Sequence, residues 1–297
     1  MNSPLVSVVS TSLNSSRYIQ ETIDSVRSQS YQKIEHIIID GGSTDGTLEI
    51  IKSYKNIICL SERETSDQPA FEASWKGFLL ARGEFIIWLC MSDKIHNPDW
   101  IKNAVEALES ERNASWCWGV SQTIFENGCL GKVFESQFLE YQAPQKDDFF
   151  YYWLVSGHGV ESNAVFRRKV FLKCMPRLGC QDWGNHPTLG LNFNLNSMGY
   201  QSITLPIIAY EGRIHDNQLN QTRSKSMHAV SVQYNSIRRK FFQRILLSGN
   251  HVFLSPDDLR LHSVKRKDLI LKYIKFRIYF RLVKSFKKLT RKLLDEF

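Results

Sequence analysis

The sequence lacks long apolar runs, paired cysteines and low-complexity stretches, and each absence excludes a class of protein. Its longest purely apolar run, Phe85 to Met91, is far shorter than the roughly 18 residues that a membrane-spanning helix needs. Sixteen glycines and eight prolines are too few for a collagen-like chain. The six cysteines form no C-x-x-C pair, which argues against a structural zinc site or a redox motif. No basic segment followed by an apolar one opens the chain, so we expect a cytoplasmic protein.

What the chain does contain is enough apolar material for a large core and an uneven charge distribution. Of its 297 residues, 42% are hydrophobic, and the net charge is +8. From Val264 to the end, twelve lysines and arginines face three acids, whereas the rest of the chain has 26 basic and 27 acidic residues. The body is therefore not an obvious binder of polyanions, and we expect no nucleic-acid partner.

Strand and helix patterns alternate over the first hundred residues. Strands are predicted at Leu5 to Ser10, Ile34 to Ile39, Ile57 to Leu60 and Glu84 to Cys90. Helices are predicted between them, where apolar residues such as Ile19, Ile23 and Val26 recur at helical spacing. This order indicates an α/β fold with a mostly parallel sheet and helices on both of its faces.

Polar residues follow the predicted strands. Sheets of this kind bind ligands outside the carboxyl ends of their strands, so Ser12, Asp40, Ser61 and Asp93 are the positions where we expect a site. Neither a G-x-G-x-x-G fingerprint nor a P-loop is present. We therefore do not expect a dinucleotide-binding site of the Rossmann type or a P-loop phosphate-binding site.

The chain beyond Asn97 is less regular and is predicted to complete the same domain around an acceptor cleft. Strands are predicted near Ser115 to Trp118, Leu130 to Phe134, Val160 to Phe166 and Ile203 to Tyr210. The aromatic run Phe149 to Trp153 fits either internal packing or stacking on a sugar ring. We predict one domain over residues 1–222 and a helical extension over residues 223–297.

These motifs resemble those of the family 2 glycosyltransferases of the GT-A type. Val8 to Asn14 is similar to the family's first strand and donor loop, and Ile37 to Thr47 is similar to its most recognisable stretch. Gly83-Glu84, leading into Trp88 to Asp93, follows in the family's order. The resemblance runs from Leu5 to about Thr222. It implies a GT-A-like fold of nucleotide-diphospho-sugar transferases and a role in bacterial surface-polysaccharide or lipopolysaccharide synthesis.

The resemblance also implies a donor site for a nucleotide sugar, with UDP favoured over GDP or dTDP. Its implied residues are Ser12, Asp40, Ser61, Asp67, Ser92 and Arg213. Asp40 is expected to contact the base, or else to serve as a turn residue bonded to Gly41 or Gly42. Ser43 is expected to cap the following helix.

A divalent metal, Mn²⁺ or Mg²⁺, is implied by the same resemblance, with Asp93 and His215 as its ligands. The alternative for Asp93 is a cap for the helix near Pro98, and His215 can equally be structural. A second alignment places the family's pair of acids on Asp93 and Lys94. Cys90 and Ser92 stand where the family usually has acids, which points to a weak or dispensable metal.

Asp182 is the implied catalytic base, because Gly179 to Trp183 is similar to the family's acceptor-side segment. A carboxylate there can take the proton of the acceptor hydroxyl, and a single displacement inverts the sugar carbon. The alternative is an exposed helix cap, and Glu161 is a weaker candidate. The expected acceptor is a glycan, in particular a lipid-linked one. A catalytically silent, glycan-binding or scaffolding member of the same fold remains the rival hypothesis, because Gln181 replaces an acid.

The basic C-terminal segment has an amphipathic pattern. Leu269, Tyr273, Phe276, Phe280 and Val283 recur three or four residues apart, with basic residues in a similar rhythm. Such a helix favours binding to an anionic membrane surface. We therefore expect the protein to associate peripherally with the inner face of the cytoplasmic membrane; a helix packed on the body is the alternative.

Overall fold

The computed structural model describes most of the first 215 residues. These are residues 3–63, 65, 68–134, 136–140, 143–146, 153, 164–177 and 187–215. Between 232 and 278 it describes isolated residues and two three-residue strands. In this part of the chain no helix is long and apolar enough to cross a bilayer.

The N-terminal elements alternate as predicted. They are β1 (Val6–Ser12), α1 (Ile19–Arg27), β2 (Ile34–Asp40), α2 (Thr47–Ser53), β3 (Ile57–Ser61), α3 (Pro69–Leu80) and β4 (Phe85–Trp88). The predicted strands and helices of this half are confirmed, although β4 ends two residues earlier than expected.

The elements that follow include two strands much longer than predicted. They are β5 (Lys94–Ile95), α4 (Trp100–Ser110), β6 (Ala114–Phe125), β7 (Leu130–Val133), a 3-10 helix (Ser136–Glu140), β8 (Gln145–Lys146), β9 (Ala164–Arg167), α5 (Arg168–Cys174), α6 (Pro187–Ser197) and β10 (Gln201–Ile214). The short strands β11 (His251–Phe253) and β12 (Ser263–Lys265) pair with each other. Both β6 and β10 continue past residues that usually interrupt a strand.

The main sheet has the strand order β3-β2-β1-β4-β9-β6-β10-β5, with β7 beside β6 and β8 beside β10. The first four strands are parallel, and so are β6 and β10. The strand β9 runs antiparallel between β4 and β6. The sheet is thus the predicted GT-A-like sheet, parallel in its N-terminal half and mixed beyond it.

Helices cover both faces of the sheet, which is why β1, β2 and β4 are buried on both sides. On one face Val9, Ile39 and Phe78 of α3 belong to a cluster that also includes Phe171 of α5. On the other face Val8 and Ile87 pack with Trp100 of α4. This double covering fixes the strand ends on which the site depends.

Helix α3 lies unusually close to the sheet. A Cβ atom on Gly77 would lie 2.4 Å from Cγ1 of Val9 and 3.3 Å from Cγ1 of Ile39. Only glycine leaves room for this approach, since interiors are close-packed and a methyl group would need a shift of the strand or the helix.

A histidine is enclosed in the centre of β2. His36 is 6% exposed, and its Nε2 lies 3.1 Å from Oγ of Ser10. Its Nδ1 has no hydrogen-bond partner among the described residues. Burial disfavours the charged imidazolium and lowers the pKa of His36 from 6.5 to about 4.

Because the folded protein takes up this proton less readily than the unfolded chain, stability should fall as the pH drops from about 6.5 to about 4. The full effect of His36 is on the order of 3 kcal/mol. We expect His36→Gln to flatten the pH dependence of the urea unfolding midpoint in this window. At pH 8 imidazole is neutral in both the folded and the unfolded state. The difference between the two unfolding midpoints at that pH therefore gives the effect of altered packing alone. Equal slopes for the two proteins would contradict the assignment.

Candidate active site

Three predicted donor-site residues lie side by side at the carboxyl edge of the sheet. The register pairs Ser12 at the end of β1 with Asp40 at the end of β2, and Asp40 with Ser61 at the end of β3. Ser92 and Asp93 follow β4, the other neighbour of β1. The sheet therefore brings five separately predicted residues to one edge, as parallel strand ends require.

The carboxyl group of Asp40 organises the loop that follows β2. Asp40 is fully buried, and its Oδ2 accepts hydrogen bonds from the backbone N–H of Gly42 (3.0 Å) and of Ser43 (2.9 Å) and from the Ser61 hydroxyl (2.9 Å). The Ser43 hydroxyl donates to Oδ1. These contacts match the alternative interpretation of Asp40 as a turn residue, and a direct contact with the base stays a prediction.

The loops that follow β1 and β2 are hydrogen-bonded to each other. Asn14 adopts a left-handed backbone conformation (φ 49°), which asparagine tolerates better than most residues. Its side-chain oxygen accepts from the Thr44 N–H (3.0 Å), and its own N–H donates to Ser43 Oγ (2.8 Å). Ser15 N–H donates to Thr47 Oγ1 (2.8 Å). The two loops therefore form one unit at the end of β1 and β2.

The start of α2 differs from the sequence prediction. Ser43 does not cap the helix, because its side chain is engaged with Asp40; Gly46 occupies the cap position. The Asp45 carboxylate, one residue before this cap, accepts from the N–H groups of Thr47 (3.1 Å) and Ser16 (3.0 Å). Although some desolvation opposes ionisation, the hydrogen bonds from Thr47, including that of its hydroxyl, and from Ser16 lower the pKa of Asp45 to about 2.

Ser12 has a buried hydroxyl group that forms no hydrogen bond within the described part of the chain. The residue is 5% exposed, and its hydroxyl has no hydrogen-bond partner among the described residues. Buried hydroxyls are nearly always hydrogen-bonded. Because Ser12 pairs directly with Asp40, this hydroxyl group lies where the sequence predicts the binding site of the nucleotide-sugar donor.

The carboxyl group of Asp93 is bound on both oxygens by protein groups. Asp93 is 6% exposed. Its Oδ1 accepts from the backbone N–H of Arg213 (2.8 Å) and from the Ser92 hydroxyl (3.3 Å). The Tyr210 hydroxyl donates to Oδ2. From α1, the Thr22 hydroxyl donates to the backbone carbonyl of Asp93 (2.7 Å). The turn is thereby fixed between α1 and β10.

Arg213 lies inside β10, whereas the strand predicted from the sequence ends at Tyr210. The strand continues because residues 211–214 pair with 122–125 of β6. The Arg213 side chain is 2% exposed, and its Nη2 donates to Oε2 of Glu21 at 2.6 Å. His215 follows directly after the strand, with its ring centre 5.2 Å from that of Tyr18.

These residues do not form a metal site by themselves. Within the described part of the chain, no three histidine, cysteine, aspartate or glutamate side chains come together. Both oxygens of Asp93 already accept hydrogen bonds, so ligation would require it to exchange them. The described residues thus do not fit a preformed divalent-cation site, and Asp93 and His215 as metal ligands stay a prediction.

Other predicted site residues lie outside the described residues: Asp67, Asp182 and Glu161. Of the aromatic run 149–153, only Trp153 is described. It is fully buried in the core, with its ring 6.1 Å from that of Phe193. This residue packs inside the domain and does not stack on a sugar.

Three residues at this edge were not predicted from the sequence to belong to the site. Glu21, Tyr18 and Tyr210 contact the predicted site residues, yet they belong to no quoted motif. The available signal was weak: Glu21 is an acid in the first turn of a helix, a position that usually complements the helix dipole.

Comparison with known sequences agrees with this geometry. The model of Glycosyl transferase family 2 matches residues 7–174, more than half of the chain. An uncharacterized glycosyltransferase of Mycobacterium tuberculosis is 34% identical over 119 residues, which are 40% of this chain and 45% of that protein. The putative teichuronic acid biosynthesis glycosyltransferase TuaG of Bacillus subtilis is 36% identical over 109 residues, 35% of this chain and 40% of that protein. The matches thus span less than half the length of these relatives.

Solved structures share the fold. Staphylococcus aureus TarS 1–349 in complex with UDP-GlcNAc superposes with a TM-score of 0.55 at 16% identity, covering 81% of this chain and 71% of that chain. The mannosyltransferase PcManGT from Pyrobaculum calidifontis, in complex with GDP-Man and Mn²⁺, superposes with a TM-score of 0.54 at 17% identity. This match covers 99% of this chain and 81% of that chain. With a GT-A-like fold and a family model that matches more than half of its length, the chain belongs to Glycosyl transferase family 2.

Proposed function

We propose that the protein is an inverting glycosyltransferase, which moves a sugar from a nucleotide donor to a hydroxyl group of a glycan acceptor. The observation that carries this proposal is the row Ser12, Asp40 and Ser61 at the carboxyl edge of the sheet. That edge is where α/β folds of this type bind ligands. Family membership supports the same reaction class.

The donor is proposed to be a nucleotide sugar, with UDP as the favoured nucleotide. Structural neighbours support the class, since TarS was solved with UDP-GlcNAc and PcManGT with GDP-Man. In this chain the Ser12 hydroxyl, which has no partner among the residues that the structure describes, offers a hydrogen bond to such a ligand. Asp40 contributes by holding the surrounding loop, and Asp67 and Ser92 remain proposed donor contacts.

A divalent metal, Mn²⁺ or Mg²⁺, is proposed only as an addition that arrives with the donor. PcManGT was solved with Mn²⁺, and a metal bound to the diphosphate would stabilise the negative charge of the leaving group. Because Asp93 is held by Tyr210 and Arg213, we assign no step of the reaction to the metal.

Asp182 is proposed as the general base. Its carboxylate would take the proton of the acceptor hydroxyl while that oxygen bonds to the anomeric carbon. The bond from this carbon to the phosphate oxygen breaks at the same time, and the nucleoside diphosphate leaves with the electron pair. One displacement from the opposite face inverts the sugar carbon.

A second candidate is a catalytically silent member of the fold that binds glycan or scaffolds an assembly. Cys90, Ser92 and Gln181 stand where the family usually has acids, and Asp93 is occupied by protein donors. This candidate predicts nucleotide or glycan binding without sugar transfer, which the experiments below distinguish.

The acceptor is proposed to be a lipid-linked surface glycan, reached through the C-terminal extension, residues 223–297. The relative TuaG is named for teichuronic acid biosynthesis, which supports a surface polysaccharide. In the extension, Leu271, Ile274 and Ile278 are helical and share one face, because they are spaced three and four residues apart. At helical spacing this is not the apolar face predicted from the sequence, whose positions Leu269, Tyr273 and Phe276 lie outside the described residues. They are 63%, 44% and 53% exposed. An exposed apolar face among basic residues is typical of helices that lie on anionic membranes.

The donor proposal predicts that a nucleotide sugar raises the melting temperature. We expect stabilisation by UDP-GlcNAc or UDP-glucose more than by GDP-mannose or dTDP-glucose, measured with and without Mn²⁺. A ligand at a hundred times its Kd adds about 2.7 kcal/mol to the free energy of unfolding. Asp40→Asn should abolish this shift, because an amide has a single oxygen and cannot replace both Oδ2, which accepts from Gly42, Ser43 and Ser61, and Oδ1, which accepts from the Ser43 hydroxyl.

The matched control is Asp99→Asn, which alters another carboxylate that accepts from a serine hydroxyl (Ser30, 2.6 Å). It should retain the full ligand shift. If no nucleotide sugar stabilises the wild-type protein, the proposed function is wrong.

Asp182→Asn should separate binding from chemistry. The amide keeps the size of the carboxylate but cannot take a proton, so sugar transfer should fall by at least ~10². The donor-induced melting shift should stay unchanged. Transfer within a few-fold of the wild type would exclude Asp182 as the base, and Glu161→Gln is then the variant to measure.

The membrane proposal predicts that the full chain sediments with phosphatidylglycerol vesicles and not with phosphatidylcholine vesicles. Replacing Leu271, Ile274 and Ile278 by glutamine should weaken sedimentation at least ~10-fold, because each loses apolar contact with the bilayer. Deleting residues 223–297 should abolish it. The matched control replaces Leu79 and Leu130 by glutamine; these leucines belong to residues 1–222 and are 72% and 51% exposed. Equal losses in both variants would argue against a specific membrane face.

A further inference from the structure

One arginine of β10 holds the turn after β4 by main chain and side chain at once. The backbone N–H of Arg213 donates to Oδ1 of Asp93 at 2.8 Å. Its side-chain Nε donates to the backbone carbonyl of Ser92 at 2.9 Å. The two bonds fix neighbouring residues of the turn, so their relative position depends on the arginine.

The same guanidinium is held from the opposite side by α1. Its Nη2 donates to Oε2 of Glu21 at 2.6 Å, and its Cζ lies 4.6 Å from the centre of the Tyr18 ring. A guanidinium presents several donors in one plane and can stack on an aromatic ring simultaneously. The ammonium group of lysine has no planar set of donors and cannot stack flat on a ring, so it could replace only part of this arrangement.

We infer that Arg213 is a positioning residue: with Glu21 as its counter-ion, it holds the Ser92–Asp93 turn against α1 and does not itself contact the donor diphosphate. Its side chain is 2% exposed. To reach a phosphate it would have to leave Glu21, Ser92 and Tyr18, and breaking the hydrogen bonds of a buried charged group is costly. The effect on donor binding rests on the proposed function; the effect on the turn does not.

The inference assigns a role to Glu21, a residue outside every recognised motif. If Arg213 bound phosphate directly, Glu21 would compete with the ligand, and its loss would leave donor affinity equal or improved. If Arg213 positions the turn, losing Glu21 should weaken donor binding. The two roles therefore predict opposite effects for one substitution.

The first test measures hydrogen–deuterium exchange of the ligand-free full chain. The Asp93 N–H donates to the Cys90 carbonyl at 3.1 Å, so its exchange reports on the turn. We expect peptides covering residues 89–95 to exchange at least ~10-fold faster in Arg213→Met and in Glu21→Ala, with β1 and β2 unchanged. Arg213→Lys should lie between Arg213→Met and the wild type. Because the Glu21 side chain is 51% exposed, Glu21→Ala should fold even if Arg213→Met does not.

The chain offers a matched control pair at β9. Arg167 also donates to two backbone carbonyls, lies over an aromatic ring, Phe85 at 5.3 Å, and approaches Glu109 at 3.9 Å. Glu109 is 49% exposed, close to the value for Glu21. Arg167→Met and Glu109→Ala should leave exchange at residues 89–95 unchanged, whatever they do to overall stability.

The second test measures the Kd of UDP and GDP by calorimetry in the same variants. We expect Arg213→Met and Glu21→Ala to weaken binding by similar factors, and the control pair to leave it unchanged. Unchanged exchange at residues 89–95 in Glu21→Ala, or loss of affinity in Arg213→Met alone, would overturn the inference. If the wild type binds neither nucleotide, the donor proposal fails, while the exchange experiment still decides whether Arg213 positions the turn.

Discussion

Two buried carboxyl groups determine how the carboxyl edge of this sheet is built. A buried polar group needs hydrogen-bond partners, and leaving it unpaired costs more than one such bond normally contributes. Asp40 finds its partners in the following loop and in Ser61 of β3. Asp93 finds its partners in β10, which is 117 to 120 residues distant in sequence. The hydrogen bonds that these two carboxyl groups accept therefore connect β2 to β3, and the turn after β4 to β10, at the same edge.

The N-terminal half could be predicted because its signals are local. β-branched runs such as Ile37-Ile38-Ile39 favour buried strands, and the periodic apolar residues of α1 lie on one face. Since consecutive strands of this kind are parallel, the meeting of Ser12, Asp40 and Ser61 at one edge followed from strand ends alone. The family match, residues 7–174, covers this part of the chain and continues beyond it.

The C-terminal half resisted prediction because long-range pairing overrides local signals. Pro206 and Gly212 usually interrupt strands, yet β10 runs through both, with a register shift between Thr204 and Ile208. This continuation is why Arg213 is a buried strand residue and not a loop residue. The antiparallel insertion of β9 between β4 and β6 likewise has no local signature. The prediction that Ser43 caps α2 is wrong for a similar reason, because the Ser43 hydroxyl donates to the buried Asp40 carboxylate instead of capping the helix.

The bonds between the loops after β1 and β2 differ in kind from those that hold the turn after β4. The former use the amide of Asn14, hydroxyl groups and backbone N–H groups, together with the Asp45 carboxylate, which accepts from the Ser16 N–H, and none of these bonds is an ion pair. The latter include an ion pair between Arg213 and Glu21, whose carboxylate is half exposed to solvent. Dissolved salt screens partly exposed ion pairs and hardly affects other short hydrogen bonds. Rising ionic strength should therefore loosen the Asp93 side of this edge while the Asp40 side keeps its shape, so the two halves of one binding edge respond differently to their solvent.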